Sequence, residues 1–276
     1  MDLTGATALI TGAASGIGLA LSEESLRRGA GVVMVDVEEG RLQAEAARLR
    51  ARGTVTPIAA DVAQREAWSA IVGRSRAVDL LIANAGVGTV GVPVWELTAE
   101  DWQWVLGVNL WGTLLAIDAI LPGMVERDRG HVVIVSSAAG LLSPRGMAPY
   151  TTSKHALTAL AETLHHELTA AGSAVGVTLV CPGLVKTRMA DNERNRPPSF
   201  EPPAAVREAR RRAHEGDIEA MRLAVASGRD PAELARQTLD AVEQSRFYVI
   251  LDDWIKDAMS TRAADIAKGR PPTDPS

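Results

Sequence analysis

The sequence of 276 residues is poor in cysteine and in aromatic rings, with one cysteine, two phenylalanines and two tyrosines. The single cysteine, Cys181, excludes an intramolecular disulfide and is typical of a protein that folds in a reducing compartment. Because Cys181 ends an apolar run at residues 175–180, we interpret it as a buried structural thiol rather than a nucleophile. We predict no metal site.

The sequence also lacks segments that would direct a chain to a membrane. The N-terminus has no basic stretch followed by a long apolar one, and no apolar run approaches the ~18 residues of a membrane span. The net charge of −5 gives no reason to expect binding to nucleic acid or to an anionic membrane. We therefore expect a cytoplasmic protein with neither kind of partner.

Strand and helix signals alternate from residue 7 to residue 251, without an internal repeat or a linker. Strands are predicted over residues 7–10, 32–35, 55–58, 78–82, 131–135, 176–180 and 247–251. Helical segments lie between them, including a long one that begins after the Thr98 cap and reaches about residue 126. The alternation predicts one α/β domain over residues 1–276, with a doubly wound parallel sheet of about seven strands and helices on both faces.

A glycine cluster separates the first strand from the first helix, which is predicted over residues 17–28. Its pattern is Thr11-Gly12-x-x-x-Gly16-x-Gly18. Such glycines let the chain turn tightly and let backbone N–H groups approach a pyrophosphate at a helix N-terminus. An ordinary strand-to-helix turn is the alternative, but Asp36, which ends the second strand, favours a dinucleotide site.

Asp36 also indicates which dinucleotide is bound. A carboxylate at this position accepts hydrogen bonds from the adenosine ribose hydroxyls and repels a 2′-phosphate. Positions 13–15 and 37 carry no lysine or arginine that would neutralise such a phosphate. We therefore predict NAD rather than NADP as the cofactor.

The stretch from His131 to Lys154 carries the candidate chemistry. Tyr150 and Lys154 are four residues apart in a predicted helix and share a face, while Ser137 follows the strand at 131–135. Lowering a tyrosine pKa from ~10 to about 7 requires roughly 4 kcal/mol, which we expect Lys154 and a cationic nicotinamide to supply. Tyr150 would then exchange a proton with an alcohol or ketone oxygen that Ser137 positions. A Tyr-x-x-x-Lys pair alone also occurs by chance on exposed helices.

Taken together, these segments resemble the classical short-chain dehydrogenase/reductase family, closely over residues 3–190 and loosely over 231–251. The resemblance rests on the glycine loop, Asp61-Val62, Asn84-Ala85-Gly86, Asn109, Ser137, Tyr150-x-x-x-Lys154, and Pro182-Gly183 with Thr187. It implies a Rossmann-like fold, an oxidoreductase activity and a homodimer or homotetramer. Ala83 stands where many relatives carry a second asparagine.

The resemblance also implies roles for individual residues. Asn109 would distort the long helix locally and hold a water that links Lys154 to solvent, and Lys154 would hydrogen-bond the nicotinamide ribose. The implied cofactor contacts, together with Asp36, Tyr150 and Lys154, are Gly12, Ser15, Gly16, Ile17, Gly18, Asp61, Val62, Asn84, Ala85, Gly86, Pro182, Gly183, Val185 and Thr187.

Substrate contacts are expected from the loops beside Ser137 and Tyr150 and after Pro182-Gly183. The candidates are Leu141, Ser143, Met147, Leu184 and Met189, with Val90 and Val92. Most are apolar, which indicates a substrate with a hydrophobic body around its alcohol or ketone. Simple packing is the alternative for each, and Arg145 is interpreted as solvated rather than as a carboxylate ligand.

Residues 190–229 do not follow the alternation, and we interpret them as a lid that closes over the substrate, with an interface as the alternative. One or two amphipathic helices are predicted over 204–226, with Arg210–Arg212 as a solvated face rather than an anion site. Its inward residues are predicted to be Val206, Ala209, Ala213, Met221 and Val225. The tail, 252–276, is expected to be helical to residue 268 and frayed beyond it.

These observations predict an NAD(H)-dependent oxidoreductase that interconverts a secondary alcohol and a ketone. An NADPH-dependent carbonyl reductase of a biosynthetic pathway is the alternative within enzymes. A dinucleotide-binding regulator without catalysis is the alternative outside them. The architecture by itself would not choose among these functions.

Overall fold

Seven strands form one parallel sheet in the computed structural model, which describes residues 1–75 and 77–275. The strands are β1 (Thr7–Thr11), β2 (Gly31–Asp36), β3 (Val55–Ala59), β4 (Leu80–Ala83), β5 (His131–Val135), β6 (Gly176–Val180) and β7 (Tyr248–Val249). Their order is β3-β2-β1-β4-β5-β6-β7. The chain reverses direction across the sheet between β1 and β4, where open α/β sheets place ligands beyond the carboxyl ends of the strands. The predicted fold class is confirmed.

Helices cover both faces of the sheet because successive strand residues point to opposite sides. The helices are α1 (Gly16–Arg27), α2 (Glu39–Leu49), α3 (Arg65–Arg74), α4 (Ala99–Leu106), α5 (Gly112–Glu126), α6 (Ala148–Ala170), α7 (Ala204–Ala226), α8 (Pro231–Glu243) and α9 (Asp253–Ala267). Leu9 of β1 packs in the apolar cluster under α3, α5 and α6, whereas its neighbours Ala8 and Ile10 pack in the cluster under α1, α2 and α8.

The helical run Ala99–Glu126 corrects the expectation that no segment is long and apolar enough to span a membrane. By length and composition it qualifies, with a hydropathy of 1.6 over its most apolar window. However, Val105, Leu115 and Ala116 of this run are buried in the protein core. Because the core helix of a soluble protein meets the same criterion, one such run is weak evidence for a membrane span.

The last strand and the C-terminal tail differ from the sequence predictions. The predicted strand at 247–251 forms only the pairs of β7 with Leu179 and Val180, since β7 is an edge strand with one neighbour. The tail predicted to fray is held at one point within the described residues, where the Thr273 N–H and hydroxyl donate to Asp265 at 3.1 and 2.8 Å. Ser276, the last residue of that prediction, lies outside the described residues. Pro275 reaches the cleft described below.

Buried His131 makes the fold sensitive to acid. Its Nε2 lies 2.8 Å from the Thr178 hydroxyl, and burial lowers the pKa of His131 to about 4. Between pH 6.5 and 4 the unfolded chain therefore binds a proton that the folded chain does not. We expect this group to remove about 3 kcal/mol from the free energy of unfolding as the pH falls through that window.

Urea denaturation at several pH values checks this expectation. The slope of unfolding free energy against pH should be shallower in a His131→Gln variant than in the parent. Equal slopes would assign the acid sensitivity to other groups.

Candidate active site

The carboxyl ends of the central strands open into one cleft with a volume of about 1320 Å³. This exceeds the ~300–1,000 Å³ usual for small-ligand sites. Most residues predicted for cofactor and catalysis line it: Gly12, Ser15, Gly16, Ile17, Asp36, Asp61, Val62, Asn84, Ala85, Gly86, Ser137, Tyr150, Lys154, Pro182, Gly183, Val185 and Thr187. Two others, Gly18 and Asn109, lie behind the cleft wall.

Ser137, Tyr150 and Lys154 meet in this cleft, as the sequence predicts. Ser137 follows β5 and begins a short turn in which its Oγ accepts a hydrogen bond from the Ala139 N–H at 3.1 Å. Tyr150 and Lys154 lie one turn apart on α6, with the lysine Nζ 5.5 Å from the centre of the tyrosine ring. That Nζ donates to the Val135 carbonyl at 2.9 Å, which fixes the ammonium beneath the end of β5.

Burial dominates the electrostatics of Tyr150 and Lys154 in the chain without cofactor. Burial raises the pKa of Tyr150 above its ordinary 10.0, and a hydrogen bond from Ser137 opposes that rise. Burial also lowers the pKa of Lys154 to about 8. In the chain without cofactor, burial of the phenol is therefore the largest influence on its pKa. The lowering expected from Lys154 together with a cationic nicotinamide stays a prediction. A lower tyrosine pKa requires a further positive charge in the cleft.

Asn109 lies at a local distortion of the long helix. Residues Gly107–Trp111 form a π-helical turn between α4 and α5, and the Asn109 side chain is fully buried. Its Oδ1 accepts from the Val87 N–H at 2.8 Å, and its Nδ2 donates to the Val87 carbonyl and to Ser153 Oγ, both at 2.9 Å. The distortion implied by the resemblance is present, and it ties the loop after β4 to α6.

The glycine loop forms a cradle that side chains would fill. A Cβ on Gly12 (φ +66°) would lie 2.9 Å from Asn84 Nδ2, and one on Gly16 (φ +54°) would lie 2.9 Å from Thr187 Cγ2. Within the described residues, the Ser15 side chain does not cap α1, so the first N–H groups of this helix face the cleft without that partner. The loop therefore fits the pyrophosphate of a dinucleotide.

Asp36 stands at the end of β2 with both carboxylate oxygens engaged by backbone. One accepts from the Ala14 N–H and the other from the Glu38 N–H, each at 2.9 Å. Arg41 also reaches this corner, where its Nε donates to the Ala14 carbonyl at 2.9 Å. Arg41 lies outside positions 13–15 and 37, and the first turn of α2 brings its side chain to Ala14.

Comparison with known proteins supports the family. Residues 6–198 match the family model described as short chain dehydrogenase. A 1-deoxy-11-beta-hydroxypentalenate dehydrogenase from Streptomyces exfoliatus is 41% identical over 196 residues, which are 68% of this chain and 70% of that protein. A solved short-chain dehydrogenase from Burkholderia phymatum in complex with NAD superposes with a TM-score of 0.93 at 37% identity, and the match covers 100% of this chain and 99% of that one. The chain belongs to the short-chain dehydrogenase family.

A second relative matches nearly the whole of this chain. The CLA biosynthesis dehydrogenase/reductase of Lactiplantibacillus plantarum is 28% identical over 271 residues, which cover 93% of this chain and 94% of that protein. The similarity between this relative and our short-chain dehydrogenase therefore extends past residue 198, where the match to the family model ends.

The predicted substrate contacts of this short-chain dehydrogenase divide into two groups. Met147, Leu184, Met189 and Val90 line the cleft. Arg145 borders it too, but its side chain is 85% exposed, in agreement with its interpretation as a solvated residue. Leu141, Ser143 and Val92 do not line it. The turn that Ser137 begins carries Leu141 into the core beneath α6, Ser143 points to solvent, and Val92 is buried.

Aromatic residues that the sequence analysis missed complete the cleft. Four of the six tryptophans line it, namely Trp95, Trp104, Trp111 and Trp254, and Phe200 joins them. Trp104 is 2% exposed, and the Arg196 guanidinium stacks over its ring, 4.1 Å from the ring centre. The excess of tryptophan over tyrosine and phenylalanine in the composition was the available signal for an aromatic site.

The segment 190–229 is fixed to the body by polar contacts. Buried Asn192 accepts from the Gly88 N–H at 2.9 Å and donates to the Met189 carbonyl at 2.7 Å. Arg210 is not part of a solvated face as predicted, because it pairs with buried Asp101 at 2.8 Å. Arg211 and Arg212 do face solvent, where both pair with Glu208.

The inward face of α7 is narrower than predicted. Val225 is buried, whereas Val206 and Met221 are only partly covered. Ala209 and Ala213 are exposed, because Val206, Arg210 and His214 form the side of the helix that faces the body.

Proposed function

We propose that the protein is an NAD(H)-dependent oxidoreductase that interconverts a secondary alcohol and a ketone on a largely hydrophobic small molecule. The observation that carries this proposal is the meeting of Ser137, Tyr150 and Lys154 in the cleft that also contains the glycine loop. Relatives named as dehydrogenases support the reaction class.

Each residue of the trio has a role that its position supports. Ser137 would hydrogen-bond the substrate oxygen and hold it beside Tyr150, which would remove the hydroxyl proton from an alcohol or return one to a ketone oxygen. Lys154 would favour the phenolate, and Asn109 would support the proton path to solvent behind it. Bound NAD⁺ would supply the hydride acceptor and the positive charge that the buried phenol lacks in the chain alone.

The remaining cleft residues would hold the cofactor along its length. Backbone N–H groups of the glycine loop would face the pyrophosphate, and Asp36 would accept from the adenosine ribose. Asp61-Val62 would meet the adenine, while Val185 and Thr187 would meet the nicotinamide end. The NAD complex of the Burkholderia phymatum relative supports this choice of cofactor.

Asp36→Ala should weaken NAD⁺ binding and relax discrimination against NADP⁺. The carboxylate lost is both the acceptor for the ribose hydroxyls and the negative charge that repels a 2′-phosphate, so we expect the preference to shift by about tenfold or more. Dissociation constants for both cofactors in parent and variant test this prediction. An unchanged preference would mean that Asp36 does not contact the ribose.

An NADPH-dependent carbonyl reductase remains the second candidate. The observation that favours it is Arg41, whose guanidinium lies in the same corner as Asp36. The two candidates separate on a direct comparison of NADH and NADPH as reductants of one ketone.

The substrate is proposed to be bulky and mostly apolar. The cleft beyond Tyr150 is lined by Met147, Met189 and Phe200 and by tryptophans, which suit an apolar body better than a charged one. A screen of secondary alcohols with NAD⁺, followed by the absorbance of reduced nicotinamide, tests the proposal. Turnover of apolar secondary alcohols supports it, and inactivity across the whole series would contradict it.

Three further properties are part of the proposal. Residues 190–229 would act as a lid that closes over the substrate, within a single catalytic domain that includes the helical tail at 252–276. The protein would work in the cytoplasm. It would assemble as a homodimer or homotetramer, for which exposed Trp111 and Val125 on the helical run 99–126 offer apolar surface.

A further inference from the structure

Glu38 joins the two walls of the cleft. It is the residue before α2, two positions after Asp36, and its carboxylate receives three side chains from the segment after β6. Arg188 approaches at 3.4 Å and Asn195 at 3.0 Å, and Arg194 makes a close ion pair with it. Although burial acts to raise the pKa of Glu38, hydrogen bonds from Arg194 and Asn195 hold it below its ordinary value. Glu38 is therefore a charged acceptor at neutral pH.

The contact lies at the Asp36 end of the cleft, where the proposed function places the adenosine ribose. Asp36 and Glu38 line one wall there, and Arg188 and Arg194 line the other. The two guanidinium groups come from a segment about 150 residues further along the chain. Neither arginine is near Asp36 in the sequence, and only the folded chain brings them to it.

We propose that Glu38 is a second determinant of cofactor choice, because it holds Arg188 and Arg194 and thereby withholds them from an adenosine 2′-phosphate. The inference rests on the proposed function in one respect, the placement of the adenosine ribose beside Asp36. It adds that two cations suited to NADP stand at that ribose and that one carboxylate engages both of them.

The physical argument concerns competition for the same donors. An arginine forks onto a phosphate as readily as onto a carboxylate, so a free Arg188 or Arg194 would favour a 2′-phosphate. With Glu38 in place, the phosphate must displace a carboxylate already bound and stand beside a second one, Asp36. Arg41 is not held by Glu38, since its Nε bonds the Ala14 carbonyl. It is therefore the same in the parent and in the Glu38 variants and does not alter the comparison between them.

The experiment is a titration of Glu38→Gln with NADH and with NADPH. Four tryptophans line the cleft, so quenching of their fluorescence reports binding without turnover. We expect the ratio of the NADPH to the NADH dissociation constant to fall by about tenfold, since two charge-assisted donors are released. Glu39→Gln makes the same chemical change on the exposed neighbour and should leave the ratio unchanged.

Removing the two released arginines should reverse the change in the ratio of dissociation constants. Adding Arg188→Ala and Arg194→Ala to Glu38→Gln should return the ratio to within about twofold of the parent value, because the donors are then gone. Thermal denaturation establishes that each variant is folded before it is titrated.

Three results would overturn the inference. If Glu38→Gln weakened the binding of NADH and NADPH equally, Glu38 would only anchor the segment after β6 and would not determine cofactor choice. A gain in NADPH affinity that persists without the two arginines would assign the effect to the lost charge of Glu38 itself. If the parent binds NADH and Glu38→Gln has the same ratio of dissociation constants as the parent, the inference is wrong and the proposed function stands. If the parent binds neither dinucleotide, the proposed function is wrong as well.

Discussion

Tyr150→Phe is expected to lower the rate of alcohol oxidation by about 10³-fold while changing the NADH dissociation constant by less than about twofold. The phenyl ring fills the same space against Gly88, whose added Cβ would lie 3.1 Å from the tyrosine ring. Only the hydroxyl that exchanges a proton with the substrate is lost. Steady-state turnover and fluorescence titration separate the effect on chemistry from the effect on binding.

The chain offers a matched control for this substitution. Tyr248 is the one other tyrosine in the sequence, and its hydroxyl donates to Glu162 at 2.7 Å on the surface near β7. Tyr248→Phe should retain the turnover of the parent. If Tyr150→Phe turned over substrate as fast as Tyr248→Phe, the proposed acid–base role of Tyr150 would be lost.

Gly18→Ala is expected to disrupt the glycine loop and the helix that follows it. A Cβ on Gly18 would lie 2.2 Å from the Gly12 carbonyl oxygen and 2.7 Å from Asn84 Nδ2. Because the nearest of these atoms is backbone, α1 must move away from the loop. We expect a loss of about 1–3 kcal/mol in the free energy of unfolding and a weakening of NADH binding by about tenfold or more.

Gly40→Ala is the control for this prediction. It lies in α2, and no atom stands within 4 Å of an added Cβ. Because alanine favours the helix over glycine, we expect a gain of about 0.5–1 kcal/mol. Denaturant unfolding and NADH titration measure both variants. Parent-like stability and affinity in Gly18→Ala would show that the close approach of α1 to the loop is not required.

Much of the fold follows from local signals in the sequence. Runs such as Val32–Val35 and Val132–Val135 are β-branched and apolar on both faces, which is typical of buried parallel strands, and the amphipathic segments between them supply the covering helices. The edge strand β7 was overestimated because the extent of a strand depends on its partner. β6 pairs with only two of its residues.

The placement of the proposed catalytic trio was predictable because its geometry is local. A spacing of four residues on a helix and a position at the end of a strand fix Tyr150, Lys154 and Ser137 without further information. Their pKa values were not predictable in the same way. Burial of the phenol and of the ammonium depends on segments distant in sequence, and burial is the largest influence on both groups.

The residues that were missed or misplaced depend on contacts between distant segments. Arg210 seemed solvated because its partner Asp101 lies 109 positions earlier. The tryptophans of the cleft come from segments that only the folded chain brings together. Leu141 was misplaced because the loop after β5 has no periodicity that would fix the direction of its side chains.

The most direct test of the central claim follows deuterium from substrate to cofactor. An apolar secondary alcohol deuterated at its carbinol carbon is incubated with NAD⁺ and either the parent or Tyr150→Phe. The reduced nicotinamide is then analysed by mass spectrometry. We predict that the parent places the deuterium on the nicotinamide ring and that Tyr150→Phe, although it binds cofactor, transfers almost none. Reduced cofactor without deuterium, or equal transfer by the two proteins, would contradict hydride transfer assisted by Tyr150.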